Sequence, residues 1–236
     1  MFYRVNTIYP AFMGESNVKG IGYPCVFVRL AGCNLRCYSK TMCGLCDTPE
    51  ALKINSGKAM SNDEIALQVA GYCRDLVCLT GGEPLMQDCT ELLKSLTKMG
   101  NHVVIETNGS IPIGMYREIP NVSFVMDWKA PSTGEQNKML KENLVHLSVN
   151  DFVKFVIYNE DDYRELVKFY REYAYLPFNI AVGTFWGSII SYEELCNKMW
   201  HDNLNNVYLN CQQHKMCRLY DKYRYKLTDI VIPREI

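Results

Sequence analysis

The sequence predicts an α/β fold, a layer or a barrel built on parallel strands, and three observations carry that expectation. Short apolar runs rich in β-branched residues alternate with segments of helical period. Several of the runs are apolar throughout, as strands buried on both faces of a parallel sheet require. The unusual polar residues gather just after the runs, where α/β folds carry their chemistry.

The candidate strands are "CVFVRL" (25–30), "LVCLT" (76–80), "HVVIET" (102–107), "SFVMDW" (123–128), "DFVKFVI" (151–157), "NIAVGTF" (179–185) and "NVYLN" (206–210). Between them, "SNDEIALQVAGYC" opens with Ser61 and carries Glu64 three residues later. That is the spacing of a capping box, ahead of an apolar face at Ile65, Leu67 and Val69. "QDCTELLKSLTKMG" ends at Gly100, suited to a left-handed C-cap. "NEDDYRELVKFYREYA" offers Asn159 as N-cap, with acids in the first turn where the helix dipole favours them. Its aromatics at helical spacing, Tyr163, Phe169 and Tyr170, read as core packing.

At 236 residues the chain is long enough for one domain with a well-covered core. No repeat or low-complexity linker divides it. A formal net charge of -1 gives no overall field that would recruit nucleic acid or an anionic membrane. The opening "MFYRVNTIYPAFMGES" lacks the pattern of a secretory signal, and no stretch approaches the ~18 apolar residues of a membrane span. A cytoplasmic location is the expectation. There thiols stay reduced, so the odd number of cysteines, eleven, is not a disulfide framework. Seven are scattered (Cys25, Cys73, Cys78, Cys89, Cys196, Cys211, Cys217), and most read as small core residues.

The other four, Cys33, Cys37, Cys43 and Cys46, follow the first run within fourteen positions. Thiolates this close bind zinc or an iron–sulfur cluster. Cys33-x3-Cys37 and Cys43-x2-Cys46 keep four-coordinate zinc possible, whereas a cluster on three cysteines leaves one iron open to another ligand. After the next runs come "TGGEP", "ETNGS" and "DWKAPSTG". Gly81 and Gly82 suit close backbone approach. Asp127 and Lys129, emerging from an apolar run, read as a paired site, since unpaired buried charge is costly.

Taken in order from residue 8 to about 215, "AFMGES", "FVRLAGCNLRC", "CDTPEA", "LTGGEPL", "ETNGS", "DWKAPSTGE", "DFVKFVI" and "QQHK" resemble the radical S-adenosylmethionine superfamily. Within it they look like the 7-carboxy-7-deazaguanine synthases. The resemblance implies a partial (βα)6-type TIM-like barrel with its active site at the C-terminal strand ends. It also implies a single domain over 1–236, with an extended C-terminal tail from about 216. The reaction implied is conversion of 6-carboxy-5,6,7,8-tetrahydropterin to 7-carboxy-7-deazaguanine with loss of ammonia.

Residue by residue, the resemblance implies a [4Fe–4S] cluster on Cys33, Cys43 and Cys46. The last two match the family's C-x2-C before "DT"; Cys37 is the alternative to Cys43. S-adenosylmethionine would meet Leu45, Cys46, Asp47, Gly81, Gly82, Glu83, Thr107, Asn108, Asp127, Trp128 and Lys129, with Ser132 close by. The pterin would meet Phe12, Met13, Gly14, Glu15, Arg29 and Thr80, and Mg2+ would bind Thr48 beside the substrate carboxylate. Leu45 stands where the family tends to place an aromatic, and Gly183 and Thr184 stand where it often shows Gln-Pro. His214 and Lys215 match a C-terminal motif, after which this chain continues to Ile236. The implied partners are the small-molecule pterin, an electron donor such as flavodoxin and a second copy in a homodimer, with no direct nucleic acid and no membrane. Two rivals share part of the pattern. A glycyl-radical activase needs the cysteines and "GGEP" but not Arg29, "GES", "CDT" and "KAPSTG" together, and a zinc module needs the cysteines alone.

Overall fold

The computed structural model describes residues 1–37, 46, 48–184 and 188–211. Its strands are β1 (Phe2–Phe12), β2 (Pro24–Leu30), β3 (Lys58–Ser61), β4 (Leu76–Gly81), β5 (His102–Thr107), β6 (Val122–Asp127), β7 (Phe152–Ile157), β8 (Asn179–Thr184) and β9 (Val207–Leu209). Among the described residues they form one sheet in the order β3-β1-β2-β4-β5-β6-β7-β8-β9. From β2 to β9 every neighbouring pair is parallel, while β1 runs antiparallel to both β2 and β3. The helices are α1 (Asn62–Ala70), α2 (Thr90–Lys98), α3 (Glu160–Tyr173) and α4 (Tyr192–His201). None is long and apolar enough to cross a membrane.

The seven expected strands are all present, and the helix signals act as expected at their ends. Ser61 accepts from the Glu64 amide at 3.2 Å and donates its own amide to the Glu64 carboxylate at 2.7 Å, a complete capping box. Asn159 caps α3 by accepting from the amides of Asp161 and Asp162, and Gly100 takes φ +90° just past α2.

Three features differ from expectation. β1 and β3 are strands the apolar-run reading did not mark, because β1 alternates buried with exposed, partly polar positions and β3 is four residues long with none buried. Leu67 is exposed while Ile65, Ala66 and Val69 of α1 are buried, since 65 and 69 share a helical face and 67 lies across the axis. The connections from β5 to β6 and from β6 to β7 are short 3-10 turns rather than α-helices. Of the scattered cysteines, Cys25, Cys78 and Cys89 are buried, whereas Cys73 is exposed.

Alternation along the parallel strands divides the sheet into two faces. One face carries Val28 and Leu30, Val77 and Leu79, Val103 and Ile105, Phe124 and Met126, and Val153 and Phe155 in a single apolar cluster with α1, α2 and α3. The other, inner face has a smaller apolar floor of Cys25, Cys78, Val104, Val125, Phe152 and Ala181, joined by Met13. From the end of β1 the buried segment Met13–Asn17 crosses this inner face. There Glu15 pairs with Lys154 of β7, and the Ser16 amide donates to Asn210, just past β9, at 2.7 Å.

Candidate active site

Beyond the apolar floor, the same inner face becomes polar on five successive strands of the sheet: Arg29, Thr80, Glu106, Asp127 and Lys154. Register places Arg29 beside Thr80 and Asp127 beside Lys154. The Lys154 ammonium lies 2.8 Å from Asp127 and also pairs with Glu15, and the Lys129 ammonium lies 2.6 Å from the second Asp127 oxygen. Thr80 hydrogen-bonds Glu106. The Arg29 guanidinium reaches the Tyr9 hydroxyl at 3.2 Å, and the Thr48 hydroxyl and Gly81 carbonyl at 3.4 Å.

The electrostatics of this tier follow from its burial. Burial works against the Asp127 carboxylate, but Lys129 and Lys154 outweigh it and hold Asp127 well below the usual carboxylate range. Burial also disfavours the two ammonium groups, but nearby negative charge, Asp127 foremost, together with Glu15 and Glu106 at Lys154, more than offsets it, so each is held above the usual lysine range. Glu106 is pushed up, by burial first and then by the Glu15 charge.

The cysteine loop leaves β2 at the rim of this tier and is tied to each of the other polar clusters. Glu83 donates its amide to Gly32 at 2.8 Å. Asn108 donates to Asn34 at 3.1 Å, Asn34 donates to Ser110 at 2.8 Å, and the Arg36 amide donates to Glu135 at 2.6 Å. The glycines make the first of these contacts possible. A Cβ on Gly81 would stand 2.3 Å from the Leu30 carbonyl, and one on Gly82 would meet Gly32, Cys33 and Ala51 within 2.8 Å. The room that these glycines leave is thus taken by the chain itself.

Several residues singled out in the sequence are committed within the protein. The buried Glu83 carboxylate accepts from Leu85 at 3.0 Å, Thr107 at 2.9 Å and Asn108 at 2.6 Å, joining the "GGEP" turn to the "ETNGS" turn. Burial still pushes Glu83 up to about 7. Ser132 binds Asp162 of α3 through both its amide, at 2.8 Å, and its hydroxyl, at 2.6 Å. Trp128 turns its ring into the helix-facing core against Phe169, with centroids 4.7 Å apart. Phe12 is half exposed and lies opposite Pro24, at the far end of β2 from Arg29. Gly183 packs under the Asn210 carbonyl, which a Cβ would approach to 2.3 Å, and Thr184 is buried. Leu45, Asp47, Cys43, His214 and Lys215 lie outside the described residues.

Two residues that carry charge here were given no role in the sequence reading, Glu106 and Lys154. The signal was a single ionisable residue inside an otherwise apolar strand, in "HVVIET" and "DFVKFVI".

The donor set fits an iron–sulfur cluster. Cys33 and Cys46 are partly exposed at the strand ends, and amide donors approach their sulfurs: Asn108 at 3.8 Å from Cys33 and the Thr48 amide at 3.4 Å from Cys46. Cys37 is close enough to feel charge on both, and burial pushes its thiol up to about 11. Among the described residues, no three His, Cys, Asp or Glu side chains converge as a finished metal site. Thr48 offers a hard hydroxyl oxygen of the kind Mg2+ takes, and the Arg29 guanidinium beside it favours an anion shared between the two.

No family model matches the chain. It is 37% identical over 174 residues to the 7-carboxy-7-deazaguanine synthase of Koribacter versatilis, covering 72% of this chain and 72% of that one. With the 7-carboxy-7-deazaguanine synthase of Clostridium acetobutylicum it shares 32% identity over 224 residues, 92% of this chain and 96% of the relative. The crystal structure of QueE from Escherichia coli has the same fold, at a TM-score of 0.71 and 22% identity, covering 89% of this chain and 93% of that one. The architecture is accordingly the mixed α/β partial barrel expected. By its identity and coverage against these relatives, the chain belongs to the 7-carboxy-7-deazaguanine synthase family.

Proposed function

We propose that this chain is a radical S-adenosylmethionine lyase that converts 6-carboxy-5,6,7,8-tetrahydropterin to 7-carboxy-7-deazaguanine and ammonia, in 7-deazapurine biosynthesis of the queuosine type. Relatedness over nearly the whole chain carries this reading. When bound, the [4Fe–4S] cluster and S-adenosylmethionine supply hydrogen-atom abstraction from the substrate.

The protein's own residues bind, orient and shield. Cys33, Cys43 and Cys46 hold the cluster, with Cys37 spare; the preference for Cys43 rests on the family's C-x2-C before "DT". Gly81, Gly82 and Glu83, with Thr107 and Asn108, form the rim that faces the cofactor, and Asp127 and Lys129 complete it. Leu45, Asp47 and the backbone at Trp128 belong to the same contact set. Arg29 grips the pterin carboxylate, its guanidinium fork donating to both oxygens. Thr48 takes Mg2+ together with that carboxylate. Met13, Gly14, Glu15 and Thr80 hold the pterin ring on the inner face, Glu15 accepting from its N–H groups, with Phe12 at the edge of this segment. The chain is one domain with a C-terminal extension, acts in the cytoplasm as a homodimer, and takes its electron from a carrier such as flavodoxin.

Anaerobic reconstitution with iron and sulfide tests this reading. The expected outcome is a brown protein with about four irons per chain that forms product and ammonia in equal amounts. C43A should lose the cluster and C37A should keep it; the reverse pattern overturns the ligand choice. Cluster-loaded protein that cleaves S-adenosylmethionine but leaves the tetrahydropterin unchanged overturns the function.

A further inference from the structure

Lys154 is the one lysine of β7 and shares its inner side with Phe152 of the apolar floor. Its ammonium is buried, and burial of a charge persists only where partners repay it. Those partners come from two parts of the molecule that the sequence keeps far apart. Glu15 belongs to the segment that crosses the inner face, and Asp127 ends β6. Asp127 has a second cation, Lys129 at 2.6 Å. Removing Lys154 therefore leaves Asp127 an ammonium but takes from Glu15 the ammonium that ties it to β7.

We infer that Lys154 is a positioning residue for the pterin: its ammonium, fixed against Asp127, holds the Glu15 carboxylate in place to receive the ring N–H groups. This rests on the reading of Glu15 as a pterin acceptor. Among the described residues, the other charged groups facing the pair are Glu106 on β5, Lys129 after β6 and Arg29 on β2. Glu106 carries like charge toward Glu15, so without the Lys154 ammonium the two carboxylates repel across the inner face and Glu15 shifts. The backbone carbonyl of Lys154 also accepts from the Trp128 amide at 2.8 Å, but that contact survives any side-chain substitution.

The test compares K154M, E15Q and the double variant E15Q/K154M in reconstituted enzyme. Their readouts are steady-state kinetics, calorimetric titration with 6-carboxypterin, and thermal melting. K154M should raise the KM for the tetrahydropterin and the Kd for 6-carboxypterin by about tenfold or more. The KM for S-adenosylmethionine should stay within about twofold, because Asp127 retains Lys129. The double variant should bind 6-carboxypterin no more weakly than E15Q, since Lys154 acts through Glu15. A merely structural lysine would lower the melting temperature and the active fraction while leaving KM and Kd unchanged, and that outcome overturns the inference. So does a double variant about tenfold weaker than E15Q, the comparison that decides the matter where K154M alone does not accumulate. If E15Q itself leaves pterin affinity unchanged, the assignment of Glu15 falls. Weak binding in E15Q with normal binding in K154M removes only Lys154.

Discussion

At the same height on the same strands, the two faces of the sheet carry opposite chemistry. Toward the helices stand Leu30, Leu79, Ile105, Met126 and Phe155, all completely buried and apolar. Toward the inside stand Arg29, Thr80, Glu106, Asp127 and Lys154, joined by Glu15 from the crossing segment and Lys129 from beyond β6. Three carboxylates and three cations are held where water is scarce. A buried ion-pair network of this kind is a poor source of stability, because desolvation offsets much of the attraction. The outer face holds the fold together, while the inner face gathers buried charge of the kind found at functional sites. Substitutions that separate stability from binding can break or sharpen that division.

The largest stability effect belongs to the outer face. Phe169 packs its ring 4.7 Å from Trp128, 4.9 Å from Tyr173 and 5.1 Å from Phe155, centroid to centroid. F169A should cost about 3–5 kcal/mol in denaturant unfolding while leaving the KM for the pterin within about twofold. A KM that moves with little loss of stability would contradict the division.

A somewhat smaller effect is tied to pH and lies at the junction between the faces. Glu83 titrates near 7 in the folded protein, against 4.5 for an ordinary glutamate, so the folded state binds its proton more tightly than the unfolded chain does. Its contribution is full below pH 4.5 and is lost as pH rises through about 7, a change of roughly 3 kcal/mol. E83Q should therefore flatten the fall in melting temperature over that window relative to wild type. Glu106 titrates in both proteins, so the difference isolates Glu83, and parallel slopes would refute its assignment.

Much of this arrangement is legible before any coordinates. Continuous apolar runs fixed the seven parallel strands, and Ser61, Asn159 and Gly100 marked helix ends through local hydrogen bonding that needs no tertiary context. The polar clusters after the strands located the rim. What stayed hidden depends on contacts far along the chain. β1 is an antiparallel strand with Pro10 near its end, and nothing local sets its pairing with β2. Glu83 also ties the rim together by accepting from Thr107 and Asn108, and Ser132 donates to Asp162, links that no local pattern announces. Lys154 carried a local signal, a lone charge in an apolar strand, but its meaning needed Glu15, 139 positions away.

The most direct test of the inner-face site concerns the substrate carboxylate and its Arg29 fork. Reconstituted wild-type and R29Q proteins would be titrated with 6-carboxypterin and with pterin lacking the carboxylate. The preference for the carboxylated ring should fall by about tenfold or more in R29Q, with cluster content and melting temperature essentially retained. An unchanged preference in well-folded, cluster-loaded R29Q would mean that the carboxylate binds elsewhere, and that the charged tier is not where the pterin sits.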